Sequence, residues 1–186
     1  MDVVEEKEVF HSLESYLFNQ LICSVMKKLL LIRHARATHE TGYRDFERPL
    51  QHSGLQDAAV MAGRLKAHSL IPRLLVTSPA LRTISTSNVF SQHLSIPAAH
   101  EIKGIYEAGQ DELVEIVKEL PDEQDFIGLV GHNPGISYLL HYLTGQIQDM
   151  PTCAVALIEF NITKWNAVRD NGKLVYFDYP KHEFSL

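Results

Sequence analysis

The chain has 186 residues, 45% of them hydrophobic and 22% charged, which suits one soluble globular domain with a sizeable core. A net charge of −6 and a pI near 5.9 exclude a general polyanion binder, so neither nucleic acid nor a membrane surface is expected as a partner. No apolar run reaches membrane-spanning length and "MDVVEEKEVF" lacks the basic and apolar regions of a signal peptide, so the expected location is cytoplasmic.

Residues 1–25 carry Val4, Val9, Leu13, Leu17 and Leu21 at four-to-five-residue steps, with Phe10 and Tyr16 beside them. That spacing predicts an amphipathic helix, read here as an appendage to a single domain over 26–186, with Met26-Lys27-Lys28 resembling a translation start. "KKLLLIRH" is a continuous apolar run, the pattern of a strand buried on both faces. A helix is expected over 52–70 with Ser53 as its cap, then a second buried strand in "PRLLVTSP" and a helix over 80–94. Residues 111–121 predict a helix stopped by Pro121, followed by the strand and turn "DFIGLVGHNPG" and a helix over 136–145 closed by Gly145. "TCAVALIEFNI" and "GKLVYFDYP" read as two last strands around the turn "NAVRDNG". Alternating strands and helices with continuous apolar strands predict an α/β fold, a three-layer sandwich around a mainly parallel sheet. Cys23 and Cys153 lie far apart without ligand spacing and are expected as reduced core thiols.

Three strands run into polar, mostly cationic residues: Arg33-His34, then Ser78 with Arg82, then His132-Asn133. In a parallel α/β sheet the carboxyl ends share one edge, where such folds bind ligands. Two arginines and two histidines converging there suit a small anion, because a guanidinium presents paired donors that match phosphate oxygens. "VGHNPGIS" adds a strand-to-helix turn, with Asn133 expected as N-cap, Pro134 at the first helical position, and backbone N–H groups near the anion. A histidine there can attack phosphorus if one ring nitrogen is unprotonated and the other is held by a hydrogen bond. The arginines and the second histidine would then neutralise oxygens as charge builds. The histidines show no HxxxH or HxH spacing, and no metal or cofactor is expected.

These residues resemble the histidine phosphatase superfamily, a phosphoglycerate mutase-like fold, and within it the small phosphohistidine phosphatase type that has no large cap insertion. "LLLIRHARA" is similar to the family signature, with His34 at the nucleophile position and Arg33 at that of the first phosphate arginine. "DFERPLQHSGLQDA" resembles its Arg-Pro-Leu segment through Arg48, Pro49, Leu50 and Gly54, "VTSPALRTISTS" its second-arginine stretch through Arg82, and "LVGHNPGIS" its second-histidine turn through His132. "MPTCAVALIEF" is similar to a late family strand. The resemblance implies a phosphatase working through a phosphohistidine intermediate, with Glu107 in "IYEAG" as the candidate proton donor. Ala35, where the wider superfamily often has glycine, matches the phosphohistidine branch.

Arg36, Thr38 and Ser78 are further candidate phosphate contacts, whereas Arg48 is expected to anchor its loop through a carboxylate such as Asp45. Short connections after His34 and across 95–110 predict a shallow, open pocket, suited to a phosphorylated protein of a signalling or sugar-uptake system. A small-molecule phosphomonoesterase acting on a sugar phosphate or nucleotide, and a phosphate-binding module without turnover, remain as alternatives. The sequence carries no signal for an oligomeric state.

Overall fold

The computed structural model describes residues 26–180, and the helix expected over 1–25 lies outside them, as does Cys23. The strands are β1 (Lys27–Arg33), β2 (Leu74–Thr77), β3 (His100–Glu101), β4 (Phe126–Gly131), β5 (Val155–Phe160) and β6 (Lys173–Asp178). Four α-helices lie between them: α1 (His52–Ala67), α2 (Leu81–Leu94), α3 (Gln110–Lys118) and α4 (Gly135–Thr144). Short 3-10 turns occupy Asp45–Glu47, Lys103–Ile105 and Trp165–Ala167. Among the described residues no helix is long and apolar enough to cross a membrane.

The sheet order is β3-β2-β4-β1-β5-β6. β1, β2, β3 and β4 pair in parallel, while β5 and β6 run antiparallel along one edge. The centre of the sheet shows why "LLLI" has no polar alternation. Leu29 and Leu31 face a cluster built with Val114 and Val117 of α3 and Leu139, Leu140 and Leu143 of α4. Leu30 and Ile32 face the opposite cluster, with Ala58, Met61 and Leu65 of α1 and Phe90 and Leu94 of α2. Successive side chains of a strand point to opposite faces, so a strand covered on both must be apolar throughout. The three-layer α/β/α sandwich follows.

Some local expectations differ. Ser53 does not cap α1: the helix starts at His52, and Gln51 holds the cap position without a side-chain hydrogen bond. At α4 the cap position falls on Pro134, and Asn133 turns its side chain to the Asp149 carboxylate and the Met150 carbonyl. β3, two residues long, is too short to leave a periodic signal. Gly145 closes α4 as expected, at φ +71° with its N–H donating to the His141 carbonyl over 2.7 Å. Cys153 is buried, which pushes its thiol pKa up, in line with an inert core residue.

Two glycines bear directly on the site. A Cβ at Gly54 would collide with the Arg36 carbonyl oxygen, because α1 crosses the chain immediately after the nucleophile position. That same carbonyl accepts from the Gln51 N–H at 2.9 Å, and Thr38 N–H donates to Pro49, so residues 36–38 and 49–51 are sewn together. A Cβ at Gly135 would strike the Ala108 carbonyl, so the absence of a side chain lets the 105–109 loop rest on the start of α4. Gly54→Ala is therefore expected to destabilise the fold by about 1–3 kcal/mol through overpacking, measured as a lower urea midpoint.

Candidate active site

Strand register builds the site. Arg33 pairs with Gly131 and Thr77 with Val130, so β1, β2 and β4 end at the same level. The ladder runs one step further: His34 N–H donates to Gly131 O at 3.1 Å and Ser78 N–H to Val130 O at 3.2 Å. His34, Ser78 and His132 thus stand side by side at the carboxyl edge, with the two imidazole centroids 5.2 Å apart.

The cleft above this edge holds about 440 Å³ and is lined by Arg33, His34, Arg36, Asp45, Arg48, Arg82, Glu107, Ala108, His132, Asn133, Gly135 and Thr152, among others. His34 Nδ1 lies 2.8 Å from the Ala35 carbonyl oxygen, which accepts only if that nitrogen carries the proton. Nε2 is left with its lone pair. Burial lowers the His34 pKa to about 4, helped by the charges of Arg82, Arg33 and Arg48 and opposed by the Ala35 bond. The ring is neutral near pH 7, as a nucleophile requires. The loop is held beneath by Ala35 N–H donating to Thr86 Oγ1, whose own hydroxyl donates to Arg82 O.

His132 is the complement of His34. Its Nε2 lies 2.8 Å from Ser78 Oγ, an oxygen that already accepts from the Ala80 N–H. If the serine proton goes to Nε2, the proton of a neutral ring sits on Nδ1. Burial, then the charge of Arg82, lowers the His132 pKa to about 3, so this ring too is neutral near pH 7.

Among the described residues, three buried side-chain nitrogens have no hydrogen-bond partner in the protein: Arg33 Nε, Arg82 Nε and His132 Nδ1. All three belong to residues lining this cleft. An unsatisfied buried donor costs about 1–3 kcal/mol, so three around one cavity are best accounted for by an acceptor-rich ligand. Three further nitrogens of these arginines have protein partners. Arg33 Nη1 donates to Met150 O at 2.6 Å; Arg82 Nη1 and Nη2 donate to Asp45 O and Oδ2 at 2.6 and 3.0 Å.

Other residues singled out in the sequence divide into two groups. Arg36 and Glu107 line the cleft, Glu107 with its backbone in the left-handed region at φ +54°. Ser78 and Thr38 do not. Ser78 is fully buried behind His132, and Thr38 is buried with its Oγ1 accepting from Glu40 N–H. Arg48 anchors its loop as expected, donating from Nε and Nη2 to Asp45 Oδ1 at 3.0 and 2.7 Å. Two site residues escaped the sequence reading. Asp45 was read only as an anchor for Arg48, yet it also binds Arg82 and accepts from the Tyr106 hydroxyl at 2.9 Å. Tyr106 sets its ring edge against His132, centroids 5.7 Å apart. Asp45 is held down to about pKa 2: burial pushes it up, but hydrogen bonds from Arg48 and Tyr106 and the charge of Arg82 outweigh that. Among the described residues no three His, Cys, Asp or Glu side chains group to hold a metal ion.

Comparison with known proteins agrees with this geometry. The model of the histidine phosphatase superfamily, branch 1, matches residues 29–108, the stretch with Arg33, His34, Arg82 and Glu107. Over those residues the chain is similar to the histidine phosphatase superfamily. An uncharacterized chloroplastic protein of Arabidopsis thaliana is 27% identical over 154 residues, 76% of this chain and 70% of that one. The fold of this chain is similar to that of a protein assigned as phosphohistidine phosphatase SixA of Agrobacterium tumefaciens (TM-score 0.72, 23% identity, 83% of this chain and 98% of that one). It is also similar to a protein histidine phosphatase SixA complexed with tungstate (TM-score 0.68, 22% identity, 82% and 97%). A mycobacterial glucosyl-3-phosphoglycerate phosphatase shares the fold more distantly (TM-score 0.55, 14% identity, 80% and 97%).

The lowered His34 pKa has a measurable sign. Its ring should stay neutral as pH falls through the ordinary histidine range and gain its proton only near about pH 4. NMR titration of the imidazole should show this; an inflection near the ordinary value of about 6.5 would contradict the buried, arginine-flanked geometry.

Proposed function

We propose that the protein is a phosphatase that transfers a phosphoryl group to His34 Nε2 and then to water, acting on phosphohistidine of a protein partner. The observation that carries this reading is the set of three unpartnered donors, Arg33 Nε, Arg82 Nε and His132 Nδ1, around a cleft floored by a neutral histidine with a free lone pair. In the first step the Nε2 lone pair attacks phosphorus, the bond to the leaving nitrogen or oxygen breaks, and the leaving atom takes a proton. The His34 Nδ1–H, held by Ala35 O, disperses the charge of the phosphoimidazole. In the second step a water oxygen attacks phosphorus, the P–N bond to His34 breaks, and inorganic phosphate departs with the ring neutral again.

Arg33, Arg82 and His132 hold the equatorial oxygens as their charge grows. Arg36 is a further phosphate contact from the cleft wall. Glu107 gives the proton to the leaving atom and takes one back from the attacking water. Ser78 acts one step removed, fixing the His132 tautomer, and Thr38 supports the loop rather than touching phosphate.

Short loops rather than a cap around the cleft, and the fold shared with proteins described as phosphohistidine phosphatases, support a protein substrate. A cleft of about 440 Å³ falls within the usual range of small-molecule sites. A small phosphomonoester is therefore the second reading.

Phosphate release should be followed from a phosphohistidine-bearing protein and from a panel of sugar phosphates and nucleotides, with wild type and His34→Ala in parallel. Release from the protein that vanishes in the variant is expected. Release only from a small ester would promote the second reading, and phosphate binding without turnover would leave a binding module. Arg33→Ala and Arg82→Ala should each lower kcat by roughly 10²–10³-fold, the scale of losing one preorganised donor.

A further inference from the structure

We infer that Asp45 is a positioning residue for phosphoryl transfer: it fixes the Arg82 guanidinium for the transition state and holds down the affinity of the site for free phosphate. The inference rests on the phosphoryl-transfer reading above and goes beyond it. Arg82 spends both terminal nitrogens on this one residue, on its carbonyl at 2.6 Å and its carboxylate at 3.0 Å. With two points of attachment and a side chain only 6% exposed, the guanidinium cannot swing, and its Nε has no partner in the protein. The other carboxylate oxygen takes two donors from Arg48, and Tyr106 completes the set through its hydroxyl. One carboxylate therefore links the 45–48 turn, the start of α2 and the Tyr106 ring that borders His132.

The charge acts in the opposite sense to the geometry. Arg33, Arg36, Arg48 and Arg82 all line the cleft, and a cage of guanidiniums alone would bind inorganic phosphate tightly. A hydrolase must release that product. Asp45 neutralises part of the cage from a fixed position on its wall. Removing its charge while keeping its shape should therefore tighten ground-state phosphate binding and slow the chemistry. A residue that merely tethered its loop would not split the two quantities in this way.

The test is Asp45→Asn, read by calorimetric binding of inorganic phosphate and by kcat on whichever phosphate compound the wild type hydrolyses. The expected outcome is a Kd for phosphate lower by about fivefold or more together with a kcat lower by about tenfold or more, since orientation is lost while binding is not. Asp45→Glu, which returns the charge one methylene further out, should bring phosphate affinity back to within about twofold of wild type while leaving kcat low. Phosphate affinity and kcat falling together, or neither changing, would overturn the inference. If the Asn variant fails to fold, the Glu variant decides: low kcat at unchanged affinity supports the inference, and unchanged kcat refutes it. Should the wild type hydrolyse no phosphate compound, the proposed function fails, and the phosphate arm alone then decides the role of Asp45: tighter binding upholds it and unchanged or weaker binding refutes it.

Discussion

The rest of the site depends on two backbone hydrogen bonds, His34 N–H to Gly131 O and Ser78 N–H to Val130 O. They carry the parallel ladder of β1, β4 and β2 one residue past its end. That extra step fixes where three separate segments leave the sheet. A side chain on a loop would need its own support to hold position within a fraction of an ångström; here the sheet provides it. The cost is that the strands beneath must be apolar on both faces. Leu29, Leu30, Leu31 and Ile32, all fully buried between two pairs of helices, meet that requirement.

On this platform the site is arranged by what each group already has bonded. Ala35 O settles which nitrogen of His34 is free, and Ser78 settles which nitrogen of His132 points outward. Met150 O takes Nη1 of Arg33, Asp45 takes both terminal nitrogens of Arg82, and the two Nε atoms have no partner in the protein. Burial keeps both imidazoles neutral in the midst of guanidiniums, so His34 acting as the proposed nucleophile would need no separate base to remove a proton. Positive charge and an unprotonated histidine coexist because burial, and after it the arginines, oppose protonation of the rings.

Much of this was legible in the sequence for a physical reason. A run such as "LLLIRH" leaves few structures open: uninterrupted apolar residues ask for a two-sided core, and cations at the end ask for an anion at the sheet edge. Arg33, His34, Arg82 and His132 follow from three such runs. Residues whose role depends on a tertiary partner were not legible. Asp45 and Arg48 sit three apart in "RDFERP", and their pairing is a local signal; the contact of Asp45 with Arg82, 37 residues away, leaves none. Ser78 looked like a ligand because it ends a strand, but its side chain lies beneath His132 rather than above the edge. Ser53 and Asn133 had cap chemistry by composition. The close packing of α1 on Arg36, and the pull of Asp149 on Asn133, decided otherwise.

The central claim is that His34 Nε2 carries the phosphoryl group during turnover. The most direct measurement is mass spectrometry of the protein quenched under mildly alkaline conditions during steady-state hydrolysis, where a histidine P–N bond survives. The account predicts a fraction of the chains heavier by one phosphoryl group, located on the peptide containing His34 and missing from His34→Ala. Turnover with no adduct on that peptide, at the same rate in the variant, would contradict it.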